Sequence, residues 1–215
     1  TKGSEFYSLR ILDLDSGELL PETIENIQGN FVWAMDSHTI FYTTLDSNHR
    51  PDKVFRHTLN TPTADDSLVY QEMDAGFFVG LDRTESNEFI LISAHDHTTT
   101  EIHYLDAHQP SQTALLFHAR EPGIEYSISD HDNTWYITTN ADACKDYKVM
   151  TTDLANTHRK YWQNYYVPVP GVLLKGIYMF QDYLVRFERI QGLPKIVVQT
   201  FINAVEEYAI EFNEE

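Results

Sequence analysis

Four strand-like positions recur at one fixed step. Phe55, Ile102, Val149 and Ile196 lie 47 residues apart each time. One further step back falls on Ser8, inside another strand-like run over residues 6–12. Periods of about 40 to 50 residues with several short strands per unit mark β-propeller blades, because one such sheet cannot bury both faces alone and stacking covers them. The spacing therefore predicts an all-β chain. It should form a partial β-propeller of about four four-stranded antiparallel blades, with an N-terminal half blade ahead of them.

The strands can be placed from local pattern. First strands are expected near 31–35, 77–81, 125–129 and 172–178, and second strands near 39–45, 88–94, 134–140 and 183–188. Between them sit Asp36-Ser37-His38, Ser86-Asn87, Asp132-Asn133 and Gln181-Asp182. Asn, Asp and Ser hold such turns through their own side-chain hydrogen bonds. The second strands are the most apolar and β-branched, and runs of that kind suit strands covered on both faces. Third strands are expected near 54–59, 101–106, 146–152 and 195–200. More polar fourth strands follow near 68–72, 114–118, 161–166 and 207–212. Residues 6–12 and 18–21 read as a hairpin around Asp13-Leu14-Asp15-Ser16-Gly17. The expected organisation is a half blade over 5–21 and blades over 30–72, 77–119, 125–167 and 171–213. The stretch 142–147 offers room for one helical turn at most.

Composition narrows the function. Fifteen Lys and Arg against 33 Asp and Glu give 15 − 33 = −18. Such a surface disfavours nucleic acid as a partner and favours cationic peptides. Cys144 is the only cysteine, which fits a reducing compartment. No run of about 18 apolar residues exists to span a membrane as a helix. Thr1-Lys2-Gly3-Ser4-Glu5 has no apolar signal core and no initiator methionine, so the chain is expected to be a piece of a longer polypeptide.

Several segments resemble the propeller of oligopeptidase B, a branch of the prolyl oligopeptidase family of serine peptidases. These are Leu20-Pro21-Glu22 with Ile24-Glu25-Asn26, Phe31-Val32-Trp33-Ala34, Val54-Phe55-Arg56-His57, and Leu68-Val69-Tyr70-Gln71-Glu72. Leu105-Asp106-Ala107, Ala119-Arg120-Glu121, Glu125-Tyr126-Ser127 and Glu188-Arg189 continue the match in order. The resemblance implies a seven-bladed propeller joined to an α/β-hydrolase domain, cutting short peptides after Arg or Lys in the cytoplasm or the periplasm. The Gly-x-Ser-x-Gly elbow that would carry the nucleophile does not occur in the sequence. This chain alone is thus expected to be non-catalytic, with the missing hydrolase domain of the same polypeptide as its partner and short basic peptides as the intact enzyme's substrates. No cofactor is implied.

The resemblance also points to Arg120, Glu125 and Tyr126, at the entry to an inner strand, as interface or gating residues; Glu5 is a further candidate. An Arg–Glu pair there could hold the partner domain by charge-assisted hydrogen bonds. His95-Asp96-His97 puts two imidazoles one residue apart but lacks a third ligand at a metal-site spacing, so no metal is assigned. His57, His103 and His118 fall in strands and read as structural. The carboxylate pairs Asp65-Asp66 and Glu206-Glu207 fall in outer loops or edges and read as solvated. A free-standing propeller scaffold for protein interaction is the alternative, and a propeller glycosidase ranks last. A cut ring would leave two blade faces bare, so the chain is expected to self-associate.

Overall fold

The computed structural model describes residues 5–202 and 206–211. Among them, seventeen strands form four sheets, each from strands consecutive in the chain. The first sheet contains β1 (Tyr7–Leu12), β2 (Leu19–Trp33), β3 (Thr39–Leu45), β4 (Pro51–Thr58) and β5 (Ser67–Gln71). The second holds β6 (Phe78–Arg83), β7 (Phe89–His95), β8 (Thr100–Asp106) and β9 (Leu115–His118). The third holds β10 (Tyr126–His131), β11 (Thr134–Thr139), β12 (Lys148–Asp153) and β13 (Gln163–Tyr166). The fourth holds β14 (Val172–Met179), β15 (Tyr183–Ile190), β16 (Leu193–Thr200) and β17 (Glu207–Ala209). This is the antiparallel architecture of a partial β-propeller.

The chain divides into two compact units. The first runs to Arg83 and adds Asn87–His97 and Glu101–Ala119. The second takes Thr84–Ser86, Thr98–Thr100 and the chain from Arg120 onward. Each has its own core. In the first unit Phe41 and Val54 of one sheet pack on Val79, Leu81, Ile90 and Ile92 of the next. In the second, Tyr136 and Val149 pack on Leu174, Met179 and Leu184. Each fully buried Leu, Ile or Val side chain stabilises by about 1.5–3 kcal/mol before the entropy of ordering it is subtracted.

The polar turns form as their side chains dictate. Asp36 Oδ1 accepts from the backbone amides of His38 (2.9 Å) and Thr39 (2.8 Å), while Thr39 Oγ1 donates to Oδ2 (2.7 Å). Burial raises the pKa of this carboxyl, but those bonds outweigh it and hold the group below its ordinary range. The stretch 142–147 contains hydrogen-bonded turns and no helix. Short 3₁₀ turns form instead at Thr63–Asp65 and Arg159–Tyr161, where the sequence pattern indicated only connection and strand.

Five expectations are corrected. First, the hairpin does not stop at residue 21. β2 continues to Trp33, and β1 joins the same five-stranded sheet. Ile27 pairs with both Tyr7 and Thr44, and a bend at Asn26 (φ 60°) and Gly29 (φ 96°) turns the strand between the two partners. Second, the first-sheet equivalent of Val149 is Val54. Val149 pairs with Thr138, the fifth residue of β11, and Val54 pairs with Thr43, the fifth of β3. Phe55 is one residue out, which puts its side chain on the opposite face. There it stacks on Tyr42 at 5.7 Å, under the hairpin.

Third, β15 is not covered on both faces: Tyr183 and Phe187 are exposed and alternate with buried Leu184, Arg186 and Glu188. Fourth, Asp66 is not solvated. Its side chain is 3% exposed, lies 2.7 Å from His57 Nδ1, and accepts from the Tyr42 hydroxyl at 2.8 Å. Burial, and after it the contact with Asp66, push the Tyr42 phenol well above its ordinary range. Glu207 is exposed, as a solvated edge carboxylate should be, and it also meets a buried arginine. Arg186 donates to Glu207 (2.7 Å), Glu188 (2.9 Å) and Gln199 (3.0 Å), with its guanidinium 3.9 Å from the Tyr166 ring centre. Fifth, the expected fourth strand over 207–212 ends at Ala209, and residues 212 and 213 lie outside the described residues.

Candidate functional site

The singled-out residues fall at one end of the third sheet, where β10 begins, β11 ends and β12 starts. The approach to β10 is a tight turn: the Ile124 amide donates to Glu121 O (2.9 Å), and Gly123 takes φ 80°, a conformation glycine adopts without strain. Asn140 clamps this turn. Its Oδ1 accepts from the Glu125 amide (2.9 Å) and its Nδ2 donates to Gly123 O (3.0 Å), while Thr139 Oγ1 donates to Glu125 O (2.8 Å). The backbone at Glu125 is therefore fixed on both its amide and its carbonyl by the end of β11.

Glu125 is half-buried, and its carboxylate accepts from the Tyr147 hydroxyl. Burial, and after it that hydrogen bond and the carboxylate's charge, push the Tyr147 phenol up to about 12. Tyr126 is buried and meets the Trp162 ring edge-on at 5.6 Å. Arg120 lies in the connection ahead of the turn, half-buried. Glu5 belongs to the other unit, where its exposed carboxylate lies 3.0 Å from His49 Nδ1.

Sequence reasoning missed the charged cluster beside the turn. Arg159 donates to Glu121 Oε2 (2.6 Å) and to Asp142 Oδ1 (2.8 Å), and Lys148 donates to Asp142 Oδ2 (2.8 Å). The Lys148 bond, and then the Arg159 bond, hold the Asp142 carboxyl below its ordinary range. Asp142, Ala143 and Tyr147 take φ values of 56°, 60° and 58°. Left-handed backbone at non-glycine residues costs about 1–3 kcal/mol each, so the surrounding bonds must impose this loop. Glu121 and Arg159 are 38 residues apart in sequence, and no local pattern announces such a pair. Among the described residues, no group of three His, Cys, Asp or Glu side chains is placed to hold a metal.

The comparisons agree with this architecture. Residues 1–212 match the family described as "Prolyl oligopeptidase, N-terminal beta-propeller domain". The chain is 34% identical over 199 residues to dipeptidyl aminopeptidase BI of Pseudoxanthomonas mexicana, covering 92% of this chain and 27% of that protein. It is 30% identical over 203 residues to protease 2 of Moraxella lacunata, covering 91% and 28%. Oligopeptidase B from Leishmania major superposes with a TM-score of 0.90 at 21% identity, covering 98% of this chain and 30% of that one. The chain belongs to the prolyl oligopeptidase N-terminal β-propeller family. It is similar to peptidases of that family and spans little more than a quarter of the length of those two relatives.

Proposed function

We propose that this chain is the gating and size-filtering part of a serine oligopeptidase that hydrolyses short peptides after Arg or Lys, in the cytoplasm or periplasm. The observation that supports this most is the family match over residues 1–212 in a chain spanning 27–30% of relatives named as peptidases. One structural relative, oligopeptidase B from Trypanosoma brucei, carries covalently bound antipain. In this reading the propeller performs no bond cleavage. It restricts access to an α/β-hydrolase domain, and domain opening admits only short, flexible substrates. The charge of −18 raises the local concentration of basic peptides.

Arg120 and the clamped Glu125–Tyr126 entry serve as the interface to the hydrolase domain. Tyr147 and Asn140 hold Glu125 in place before binding, so little side-chain entropy remains to be lost. In solution the exposed face of the fourth sheet favours association of copies. The test is an arginyl-amide assay with the purified chain, alone and mixed with the α/β-hydrolase domain of its polypeptide. The chain alone should show no turnover. The mixture should form a complex that Arg120→Ala with Glu125→Ala weakens by about tenfold. Serine-reagent-resistant turnover by the chain alone would overturn the reading.

A further inference from the structure

The first strands of the third and fourth sheets frame two adjoining cavities that the gating reading touches only at the Glu125–Tyr126 entry. One, about 220 Å³, is bordered by Ser129, Tyr136, Gly176, Ile177 and Phe187. The other, about 270 Å³, is bordered by Glu125, Tyr147 and Leu173. Both are also lined by Ser127, Thr138 and Lys175, so they meet at one ammonium and two hydroxyls.

Three features mark this junction as built for a ligand. Thr138 is 7% exposed, and its Oγ1 is buried with no hydrogen-bond partner. Leaving such a group unpaired costs about 1–3 kcal/mol. The positional counterpart in the first sheet, Thr43, donates to Gln28 Oε1 (3.0 Å) and lies 3.4 Å from Asn30 O. The vacancy at Thr138 therefore belongs to this place and not to the strand type.

The second feature is the register. The pairing of β14 with β15 shifts between Leu174 and Gly176, so Lys175 is an extra, bulged residue. A bulge re-aims the side chain it carries, and bulges concentrate beside functional sites. Among the described residues Lys175 has no carboxylate within ion-pair distance, in a chain with 33 acidic residues. The third feature is composition. Val32 stands opposite Phe41 in the first sheet, on the face that packs on its neighbour. In the third sheet the matching place opposite Tyr136 is Ser129, and Ser127 stands opposite Thr138. One apolar residue, Val32, is thus replaced by the hydroxyl of Ser129, which joins those of Ser127 and Thr138.

We propose that this paired cavity binds a short zwitterionic peptide of dipeptide size. Its terminal carboxylate accepts from the Lys175 ammonium and from the Ser127 and Thr138 hydroxyls. Its free ammonium donates to Glu125, whose carboxylate has acceptor capacity beyond the Tyr147 bond. Ile177 and Phe187 receive an apolar side chain. The site shares Glu125 with the interface proposed above, but it lies on this chain alone, so dipeptide binding to the chain by itself is tested apart from gating.

Calorimetric titration of the whole chain with alanyl-alanine tests this. The dipeptide should bind. Alanyl-alanine amide, which lacks the carboxylate, and N-acetyl-alanyl-alanine, which lacks the ammonium, should each bind about tenfold more weakly. Lys175→Met should lose the same factor and no longer distinguish acid from amide. Thr138→Val should weaken binding with its circular dichroism unchanged. Absence of binding, or equal binding of acid and amide, overturns the proposal; the ligand arms decide even if a variant does not fold.

Discussion

At the residue scale, Arg186 is a guanidinium held inside the fourth sheet at 2% exposure. Burial works against its charge most strongly, yet the bonds to Glu207 and Glu188 outweigh burial and raise its pKa. Removing the guanidinium leaves the Glu188 carboxylate, 4% exposed, without its cation. Arg186→Met should cost about 3–5 kcal/mol in urea unfolding, and adding Glu188→Leu should recover much of it, because uncompensated buried charge is the larger penalty. Asp142 gives a pH prediction. Its folded pKa is lowered, so its contribution is present above the ordinary value of 3.8 and is lost as pH falls through the folded value. Stability measured down the acid limb should fall less steeply for Asp142→Asn than for the parent chain.

At the element scale, the bend in β2 lets a single strand serve two neighbours. Gly29 sits there at φ 96°, and a Cβ would lie 3.0 Å from the Tyr7 ring. Gly29→Ala should destabilise by about 1–3 kcal/mol in denaturant melts, with Tyr7→Ala offsetting the steric part only. Strand type and order were legible because the period of two, the turn residues and the 47-residue step agreed with one another. What escaped was register. Phe55 and Val54 are both apolar, so the repeat could not tell which faces the next sheet. Asp66 was misread for a related reason: its partners Tyr42 and His57 lie on other strands, beyond the reach of turn chemistry. At the site, Glu125 and Tyr126 were legible through the resemblance. The Glu121–Arg159–Asp142–Lys148 chain of charges was not, since only the folded sheet brings those residues together.

At the scale of the whole molecule, the fourth sheet presents Tyr178, Phe187 and Tyr208 at 49%, 37% and 55% exposure. An apolar sheet face of this kind promotes association. Light scattering should show mass rising with concentration, and Tyr178→Ser with Phe187→Ser should restore the monomer; monomer at all concentrations for the parent chain would refute this. The consecutive strand order has a consequence for synthesis. Every sheet is completed by residues that leave the ribosome one after another, so loop closures stay short. The first sheet has all its strands once residue 71 emerges, before any residue of the second unit's sheets has been translated. Maturation should therefore run from the amino end, sheet by sheet, and a ribosome-stalled chain from which residue 119 has emerged should already protect the amides of β3 and β7 from exchange.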